Sequence, residues 1–194
     1  LANPVAPEGV VWSYAGVRPL YDDGTSDPSK VTRYYTLRVD DVDGRTPVLS
    51  VFGGKITTYR RLAEHVMDRL AAYLPPLKPA WTGTAPLPGG DFAPAARREV
   101  FLELARRYPR LPSEVLHGAH RRHGLLAAHV AGDAKAAEDL GLHFGAGLYE
   151  REVCYLREHE WARDLEDILW RRTKCGLHMT ADERAGLASW IAKH

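Results

Sequence analysis

The stretch that decides the fold is Val48-Leu-Ser-Val-Phe-Gly-Gly-Lys-Ile-Thr-Thr-Tyr59, which passes from an apolar run through two glycines into a helical pattern. The apolar run is short and partly β-branched, and it predicts a strand. Thr57 or Thr58 can cap the helix that follows. The apolar face of that helix is formed by residues three and four apart: Tyr59, Leu62, Val66, Leu70 and Tyr73. Pro75 and Pro76 end the helix, because proline cannot continue it.

Two more strands are predicted upstream, at residues 9–14 and 34–39, where β-branched and aromatic residues cluster. The acidic turn signal Asp40-Asp41-Val42-Asp43-Gly44 separates the second of them from Val48–Phe52, which predicts a hairpin. A calcium loop with Gly44 at its sixth position would begin at Val39 and end at Ser50, and neither residue suits an EF-hand. We therefore interpret the acidic segment as a turn.

Proline and glycine are concentrated in residues 75–90, which predicts a linker between residues 1–74 and 91–194. Beyond the linker the apolar spacing is helical, and the stripe of the first helix comprises Phe101, Leu104, Ala105 and Tyr108. We predict an α+β fold in which a short N-terminal β segment is followed by an all-helical C-terminal domain.

Capping signals predict where individual helices of the C-terminal part begin. Ser113 can cap a helix that runs toward His123, and Asp164 with Asp167 approximates a capping box. Thr180 and Glu183 form a full capping box, ahead of an apolar face that comprises Leu187, Ala188 and Ile191. Three tryptophans in this part are predicted to pack in the core or between helices: Trp161, Trp170 and Trp190.

Composition excludes several classes of protein. The chain has 194 residues, 45% of them hydrophobic and 26% charged, which excludes disorder and a collagen-like fibre. Twenty-six Lys and Arg against 25 Asp and Glu give a net charge of +1, too little to predict a nucleic-acid partner. Cys154 and Cys175 lack metal-site spacing. No run approaches the roughly 18 apolar residues of a membrane span.

The glycine pair and Lys55 form the best candidate site. Glycines allow the backbone to approach a ligand closely, and the first N–H groups of a helix lack acceptors within it. The helix dipole and Lys55 add positive charge, which suits an anion or an electron-rich carbonyl. The alternative is a glycine-assisted turn with no ligand.

Two arginines flank predicted strands. Arg18 precedes Pro19, which restricts its backbone, and Arg33 lies just before another strand. Together they could hold a phosphate or carboxylate through paired hydrogen bonds. Residues alone favour the alternative, a pair of solvated side chains.

Other motifs carry weaker predictions. Gly145-Ala146-Gly147 has Glu150 at the third glycine position, which excludes a dinucleotide fingerprint. A metal site is disfavoured for histidines that recur every third residue without suitable partners, namely His117, His120 and His123. Solvated helix faces are favoured over nucleic-acid binding for four arginine pairs: Arg97-Arg98, Arg106-Arg107, Arg121-Arg122 and Arg171-Arg172.

Seven segments, in order, carry a resemblance to a known family. They are Val-Trp-Ser-Tyr-Ala-Gly-Val-Arg-Pro-Leu at 11–20, Thr-Arg-Tyr-Tyr at 32–35, Ser-Val-Phe-Gly-Gly-Lys-Ile-Thr-Thr-Tyr-Arg at 50–60, Pro-Ala-Trp-Thr at 79–82, Leu-Pro-Gly-Gly at 87–90, His-Glu-Trp at 159–161 and Leu-Trp-Arg-Arg-Thr-Lys at 169–174. With these motifs the chain resembles the aerobic, FAD-dependent glycerol-3-phosphate dehydrogenases of the bacterial type.

The resemblance implies site residues. FAD would be contacted by Gly53, Gly54, Lys55, Ile56, Thr57 and Thr58, and glycerol 3-phosphate by Arg18 and Arg33. It implies neither a catalytic base nor a metal ligand in this chain. Ala15 and Tyr34 depart from residues common in the family, which puts fine specificity in doubt.

The resemblance also implies a parent enzyme of which this chain, starting at Leu1 and not Met, is the C-terminal portion. That enzyme would oxidise sn-glycerol 3-phosphate to dihydroxyacetone phosphate and pass electrons to a quinone. We expect it on the cytoplasmic face of the bacterial inner membrane as a peripheral protein. Whether it forms a homodimer is left open. The chain alone is expected to be inactive. The alternative is a non-catalytic helical module that binds a partner or docks on a membrane.

Overall fold

The computed structural model describes residues 6–10, 12–17, 20–22, 24, 34–44 and 46–194. They form two compact units. The hairpin unit is Ser13–Ala85, and the helical unit is Pro86–His194 together with the described residues that precede Ser13. The domain ranges 1–74, 75–90 and 91–194 stay predictions.

The hairpin unit contains two antiparallel strands and one helix. Strands β1 (Thr36–Asp40) and β2 (Val48–Phe52) pair with Arg38 opposite Ser50, which confirms the predicted hairpin. In the turn, the N–H of Gly44 donates to Oδ1 of Asp41 at 2.6 Å. Helix α1 (Tyr59–Leu70) follows a 3₁₀ turn at Ile56–Thr58 and leads into another at Ala71–Tyr73.

Two local expectations in the N-terminal part are wrong. Pro7–Gly9 forms a 3₁₀ turn, and the other described residues of 9–14 lie in no strand. A strand needs a neighbour for its backbone groups, and the described part of the chain offers this segment none. At the start of α1, Thr58 occupies the capping position without a side-chain capping bond, because its hydroxyl donates to the carbonyl of Lys55 at 2.9 Å.

The helical unit confirms the mainly helical prediction. Its α-helices are α2 (Arg97–Arg107), α3 (Ser113–His123), α4 (Ala127–Ala131), α5 (Glu150–His159) and α6 (Ala181–Ile191). A π-helix spans Asp167–Arg172, and 3₁₀ turns span Pro94–Ala96, Gly124–Leu126, Ala137–Leu140 and Cys175–Leu177.

A small hairpin in this unit was not predicted. Strands β3 (His143–Gly145) and β4 (Leu148–Tyr149) pair across Gly145-Ala146-Gly147, whose φ angles are 110°, 49° and 69°. Three successive left-handed residues reverse the chain sharply, which explains the glycines at both ends of the turn. Strands of three and two residues are too short to produce a readable alternation.

Two hydrophobic clusters form the core of the helical unit. The first packs α2, α3 and α4 together and comprises Leu104, Tyr108, Leu111, Leu116, Ala119, Ala127, Ala131, Ala134 and Leu140. The second surrounds α5, the π-helix and α6, and comprises Phe144, Leu148, Val153, Leu156, Ala162, Ile168, Leu169, Trp170, Cys175, Met179, Leu187 and Trp190. Trp170 and Trp190 are buried as predicted, but Trp161 is 81% exposed, on a left-handed backbone with φ of 58°.

The capping predictions have mixed outcomes. At α6, Thr180 Oγ1 accepts from the N–H of Glu183 and the Glu183 carboxylate accepts from the N–H of Thr180, which confirms the capping box. Asp164 and Asp167 also bond reciprocally to each other's backbone. Ser113 does not cap α3, because Pro112 occupies the capping position and Ser113 is already helical.

Two glycines bring the Leu-Pro-Gly-Gly run against the end of α3. A Cβ added at Gly89 would lie 2.2 Å from the carbonyl oxygen of His123, and one at Gly124 would lie 2.1 Å from that of Gly89. The N–H of Leu125 donates to the Gly89 carbonyl at 3.0 Å. Two backbones therefore touch at a place where neither can carry a side chain.

Candidate functional site

The Gly-Gly-Lys segment (residues 53–58) joins β2 to α1 in the way the strand–glycine–helix pattern predicts. Gly53 and Gly54 have φ angles of 71° and 101°, in the region that L side chains rarely adopt. A Cβ at Gly54 would approach only Tyr35 Cβ, at an ordinary 3.5 Å. Glycine is therefore needed here for its backbone conformation more than for space.

The start of the helix in this segment keeps unused donors. Lys55 is extended, with φ −128° and ψ 146°, and the N–H of Thr58 returns to its carbonyl at 2.9 Å. Within the described part of the chain, no acceptor is assigned to the N–H groups of Ile56 and Thr57, as expected for the first residues of a helical turn. These two donors are free to bind a ligand.

Lys55 supplies the positive charge of the segment. Its ammonium lies 5.8 Å from the ring centroid of Tyr34, and its side chain is exposed. No carboxylate of the described residues forms an ion pair with it. The charge of Lys55 therefore remains available to an anion or to a polarised carbonyl.

Apolar side chains around the segment are exposed. Ile56 is 88% exposed, and Phe52, Val51, Tyr34 and Tyr59 are all exposed by more than a third. Several large apolar side chains close together in sequence are thus left uncovered by the described residues.

The second half of the hairpin unit anchors α1. Glu64 accepts a hydrogen bond from Arg60 Nη1 at 2.7 Å and another from the hydroxyl of Thr82. The Thr82 hydroxyl, helped by Arg60, lowers the pKa of Glu64. At the next residue of the helix, the Tyr35 hydroxyl lies 2.6 Å from Nδ1 of His65. These contacts tie α1 to the chain that follows it and to the hairpin.

The remaining predicted site residues are distributed as follows. Arg18 and Arg33 lie outside the described residues. Among the residues that the structure describes, no group of histidine, cysteine or acidic side chains has the arrangement of a metal site. Burial raises the pKa of the Cys154 and Cys175 thiols, which opposes thiolate formation.

A buried ionic network in the helical unit was missed at the sequence level. Arg122 binds Glu152 through Nε and Nη2 at 2.6 and 2.7 Å, and His123 Nε2 lies 2.8 Å from the same carboxylate. Arg122 therefore does not fit the predicted solvated arginine face. A signal was present, because Glu152 lies midway between Leu148 and Leu156 at four-residue spacing, on a buried stripe.

The pKa of Glu152 is lowered by this network. Burial alone would raise it, but the hydrogen bonds from His123 and Arg122 outweigh burial and lower the pKa. Nδ1 of His123 in turn lies 3.6 Å from a carboxylate oxygen of Glu160. The network joins α3 to α5 and is enclosed in the unit, so its geometry is that of a structural link.

The N-terminal segment contributes an aromatic contact to the helical unit. The rings of Trp12 and Trp170 are stacked, with centroids 5.6 Å apart and an angle of 3° between planes. The ammonium of Lys174 lies 4.6 Å from the Trp12 ring centroid and also donates to the carbonyl of Trp170. The Leu-Trp-Arg-Arg-Thr-Lys motif at 169–174 therefore contacts Trp12, a residue of the motif segment 11–20. Across the described residues, the helices lack the combined length and hydrophobicity needed to span a bilayer.

Comparison with known proteins gives consistent matches. Residues 80–192 match the model of a family described as the C-terminal domain of alpha-glycerophosphate oxidase. The aerobic glycerol-3-phosphate dehydrogenase of Escherichia coli (strain K12) is 43% identical over 187 residues, which cover 96% of this chain and 37% of that protein. A glycerol-3-phosphate dehydrogenase of Pseudomonas aeruginosa is 44% identical over 187 residues, covering 96% of this chain and 36% of that protein.

A relative with a different named substrate is equally similar. The D-erythritol 1-phosphate dehydrogenase of Brucella abortus (strain 2308) is 46% identical over 184 residues, covering 95% of this chain and 36% of that protein. The chain thus spans little more than a third of the length of these curated relatives.

Proposed function

Because the chain belongs to the family of C-terminal domains of alpha-glycerophosphate oxidase, we propose that it is the C-terminal portion of an FAD-dependent dehydrogenase that oxidises sn-glycerol 3-phosphate to dihydroxyacetone phosphate. The observation that carries this proposal is the identity of 43% with the Escherichia coli enzyme, which extends through 96% of the chain and so through both units.

The hairpin unit supports the idea of a larger protein. None of its described residues is buried. The apolar face of α1 is only half covered, and residues of β2 and the Gly-Gly-Lys segment expose large apolar side chains. A unit of two strands and one helix cannot supply its own core. The upstream two thirds present in the relatives would provide the missing cover.

The Gly-Gly-Lys segment fits the pyrimidine edge of a flavin. Two glycines with left-handed backbone keep side chains away from the approach, and the N–H groups of Ile56 and Thr57 have no acceptor among the described residues. We propose that residues 53–58 hold this edge. When bound, the flavin accepts the two electrons and the hydrogen that leave the carbinol carbon of the substrate. Lys55 and the free N–H groups would stabilise the negative charge that develops beside them.

Arg18 and Arg33 are proposed to bind the substrate. A phosphate dianion and two hydroxyls require several charge-assisted donors, which guanidinium groups provide in pairs. The base that removes the hydroxyl proton would come from outside this chain. The proposal extends to a quinone as electron acceptor and to a peripheral position on the cytoplasmic face of the inner membrane, as the resemblance implies.

A second candidate substrate is D-erythritol 1-phosphate. It is favoured by the identity of 46% with the Brucella abortus enzyme. Both compounds are polyols with a terminal phosphate, so the same arginines could hold either. The longer polyol needs more space beside the reacting carbon, which makes relative kcat/KM the deciding quantity.

Reconstitution tests the proposal. We would co-express the 194-residue chain with the upstream portion of the Escherichia coli relative and measure flavin absorbance and dye reduction with each phosphorylated polyol. Bound flavin and activity are expected only when both parts are present. The matched control replaces this chain with the corresponding C-terminal portion of the Escherichia coli enzyme. If that control restores flavin and activity while this chain restores neither, the proposal is wrong, and liposome binding by the chain would then favour a docking module.

Lys55→Met in the reconstituted enzyme tests the role of the segment. Loss of the charge should lower the flavin midpoint potential, because the reduced flavin carries the extra negative charge. Arg61→Gln on α1 is the matched control, since Arg61 is exposed and lies outside the segment. Equal potentials in Lys55→Met and the unaltered enzyme would contradict the assignment.

A further inference from the structure

The helical unit holds a fixed surface for Trp12, and Trp170 is the centre of that surface. Trp170 is buried in the second hydrophobic cluster. A Cβ added at Gly176 would lie 2.8 Å from Cζ2 of the Trp170 ring, although the φ angle of Gly176 is not positive. Glycine is therefore needed at 176 for space, and the close backbone limits how far the indole of Trp170 can turn.

Lys174 adds a cation to the same surface. Its backbone is left-handed, with φ 62° and ψ 14°, which is uncommon for a residue with a side chain. Just before it, the Thr173 hydroxyl donates to the carbonyl of Ile168 at 2.7 Å and accepts from the N–H of Cys175 at 3.1 Å. This turn ends the π-helix, and the Lys174 ammonium returns to donate to the carbonyl of Trp170.

Trp12 attaches the N-terminal segment to this surface. Its ring is stacked on that of Trp170, and the Lys174 ammonium lies over it. Aromatic stacking and a cation over an indole each stabilise such a contact. Trp12 is 36% exposed, whereas Val10 and Tyr14, two positions away on either side, are 58% and 83% exposed. Of the three side chains, Trp12 is the one that the helical unit covers most.

The opposite end of the hairpin unit is fixed in the helical unit as well. The hairpin unit ends at Ala85. Shortly after it, the Gly89 carbonyl accepts from the N–H of Leu125 at 3.0 Å, where the backbones of Gly89 and Gly124 touch. The chain therefore leaves the helical unit after Trp12 and returns to it before Gly89, and both positions are anchored.

Anchors at both ends matter because the hairpin unit does not form a core of its own. None of its described residues is buried. Fixing both ends of a chain segment removes conformational freedom, and that freedom no longer has to be lost when a ligand binds. The Gly-Gly-Lys segment lies between the two anchors.

We propose that the helical unit is a clamp that holds the hairpin unit ready for the flavin, with Trp170 and Lys174 as positioning residues that act through Trp12. This role depends on the proposed binding of FAD by residues 53–58. The three side chains of the clamp touch neither flavin nor substrate in this proposal. Their loss should therefore weaken flavin binding and leave kcat at saturating FAD unchanged.

The flavin affinity of the reconstituted enzyme tests the clamp. Trp12→Ala removes the stacked ring and should raise the FAD dissociation constant by roughly tenfold. Trp12→Phe keeps a ring and should retain most of the affinity. Trp161→Ala is the matched control, because it removes an exposed tryptophan of the same unit. Quenching of flavin fluorescence measures the dissociation constants, and dye reduction at saturating FAD measures kcat.

A second control separates positioning from general stability. Glu152→Gln removes a buried charge partner outside the Trp12 contact, so it should destabilise the helical unit. Well below its unfolding temperature, this variant should bind FAD as the unaltered enzyme does. In the 194-residue chain alone, the indole N–H signal of Trp12 should shift in Trp170→Leu, because the ring current of its stacked neighbour is lost.

The possible results distinguish the clamp from the proposed function. If the unaltered reconstituted enzyme binds FAD and Trp12→Ala binds it equally well, the clamp is wrong while the proposed function stands. The clamp is also overturned by equal weakening in Trp161→Ala or Glu152→Gln, by a lower kcat at saturating FAD in Trp12→Ala, or by an unshifted Trp12 signal. If this chain restores no flavin while the corresponding portion of the Escherichia coli enzyme does, the proposed function is wrong and the clamp is wrong with it.

Discussion

Arg122 and Glu152 are joined by two parallel hydrogen bonds of 2.6 and 2.7 Å, although they lie on different helices and 30 positions apart in sequence. Arg122 is at the end of α3, which packs in one hydrophobic cluster, and Glu152 is on α5, which packs in the other. The pair thus links the two cores of the helical unit, and this link can be tested by removing one partner.

Glu152→Gln should lower the free energy of unfolding by about 3 kcal/mol, because it leaves the Arg122 guanidinium half-buried without a counter-charge. Denaturant unfolding followed by circular dichroism measures the change. Glu158→Gln on the same helix is the control, since Glu158 is exposed, and we expect a change within about 0.5 kcal/mol. Similar midpoints for the two variants would show that the link contributes little.

Acid should weaken the helical unit through the same carboxylate. The pKa of Glu152 is lower in the folded chain than its ordinary 4.5. A depressed folded pKa means that the stabilisation is complete above the unfolded value and is lost as pH falls through the folded one. The difference in melting temperature between the unaltered chain and Glu152→Gln should therefore begin to shrink below about pH 4.5 in a series from pH 7 to pH 3.

The pH-dependent contributions of the other carboxylates to stability cancel in that comparison. The pKa values of Asp133, Asp139, Asp167 and Glu183 are also lowered by hydrogen bonds, but both proteins contain these groups. A melting-temperature difference that stays constant down to the lowest pH would contradict the assignment to Glu152.

Gly89→Ala should destabilise the helical unit by about 2 kcal/mol or more, because the new Cβ meets the His123 carbonyl and requires strained backbone. Gly186→Ala is the opposite case. Gly186 lies inside α6, and a Cβ there meets nothing within 4 Å. Alanine at 186 should raise stability by about 0.5–1 kcal/mol through helix propensity. Thermal unfolding of both variants checks the two signs, and a stabilising Gly89→Ala would show that the close backbone approach is absent in solution.

Arg18→Ala and Arg33→Ala in the reconstituted enzyme should raise KM by roughly tenfold or more, through the loss of charge-assisted hydrogen bonds to phosphate. Steady-state kinetics with glycerol 3-phosphate measures this. Arg163→Ala, an exposed arginine of the helical unit, should leave KM unchanged. Unaltered KM in both Arg18→Ala and Arg33→Ala would remove these residues from the proposed pocket.

Local residue patterns predicted the elements whose signals lie within a few neighbouring positions. β2 begins and ends where the apolar run does, and the Thr180–Glu183 capping box forms as its spacing requires. The Gly-Gly-Lys segment has the expected turn, because only glycine readily adopts the φ angles at 53 and 54.

Properties that depend on distant partners were not predicted. Trp161 is exposed although tryptophan is usually buried, and it lies on a left-handed residue between α5 and the π-helix. Arg122 has a buried acidic partner that only the packing of α3 on α5 supplies. The Gly89–Gly124 approach likewise depends on two segments that meet only in the fold.

The lack of any buried residue among those described in the hairpin unit has a consequence for hydrogen exchange. Amides of α5 and α6 should open only with global unfolding of the helical unit, since both helices pack in a core. Amides of β1, β2 and α1 should exchange through local opening of low free energy, because little apolar contact opposes it. When the upstream portion is added, the largest gain of protection should therefore appear in β2 and at the start of α1, the same backbone that is proposed to meet the flavin.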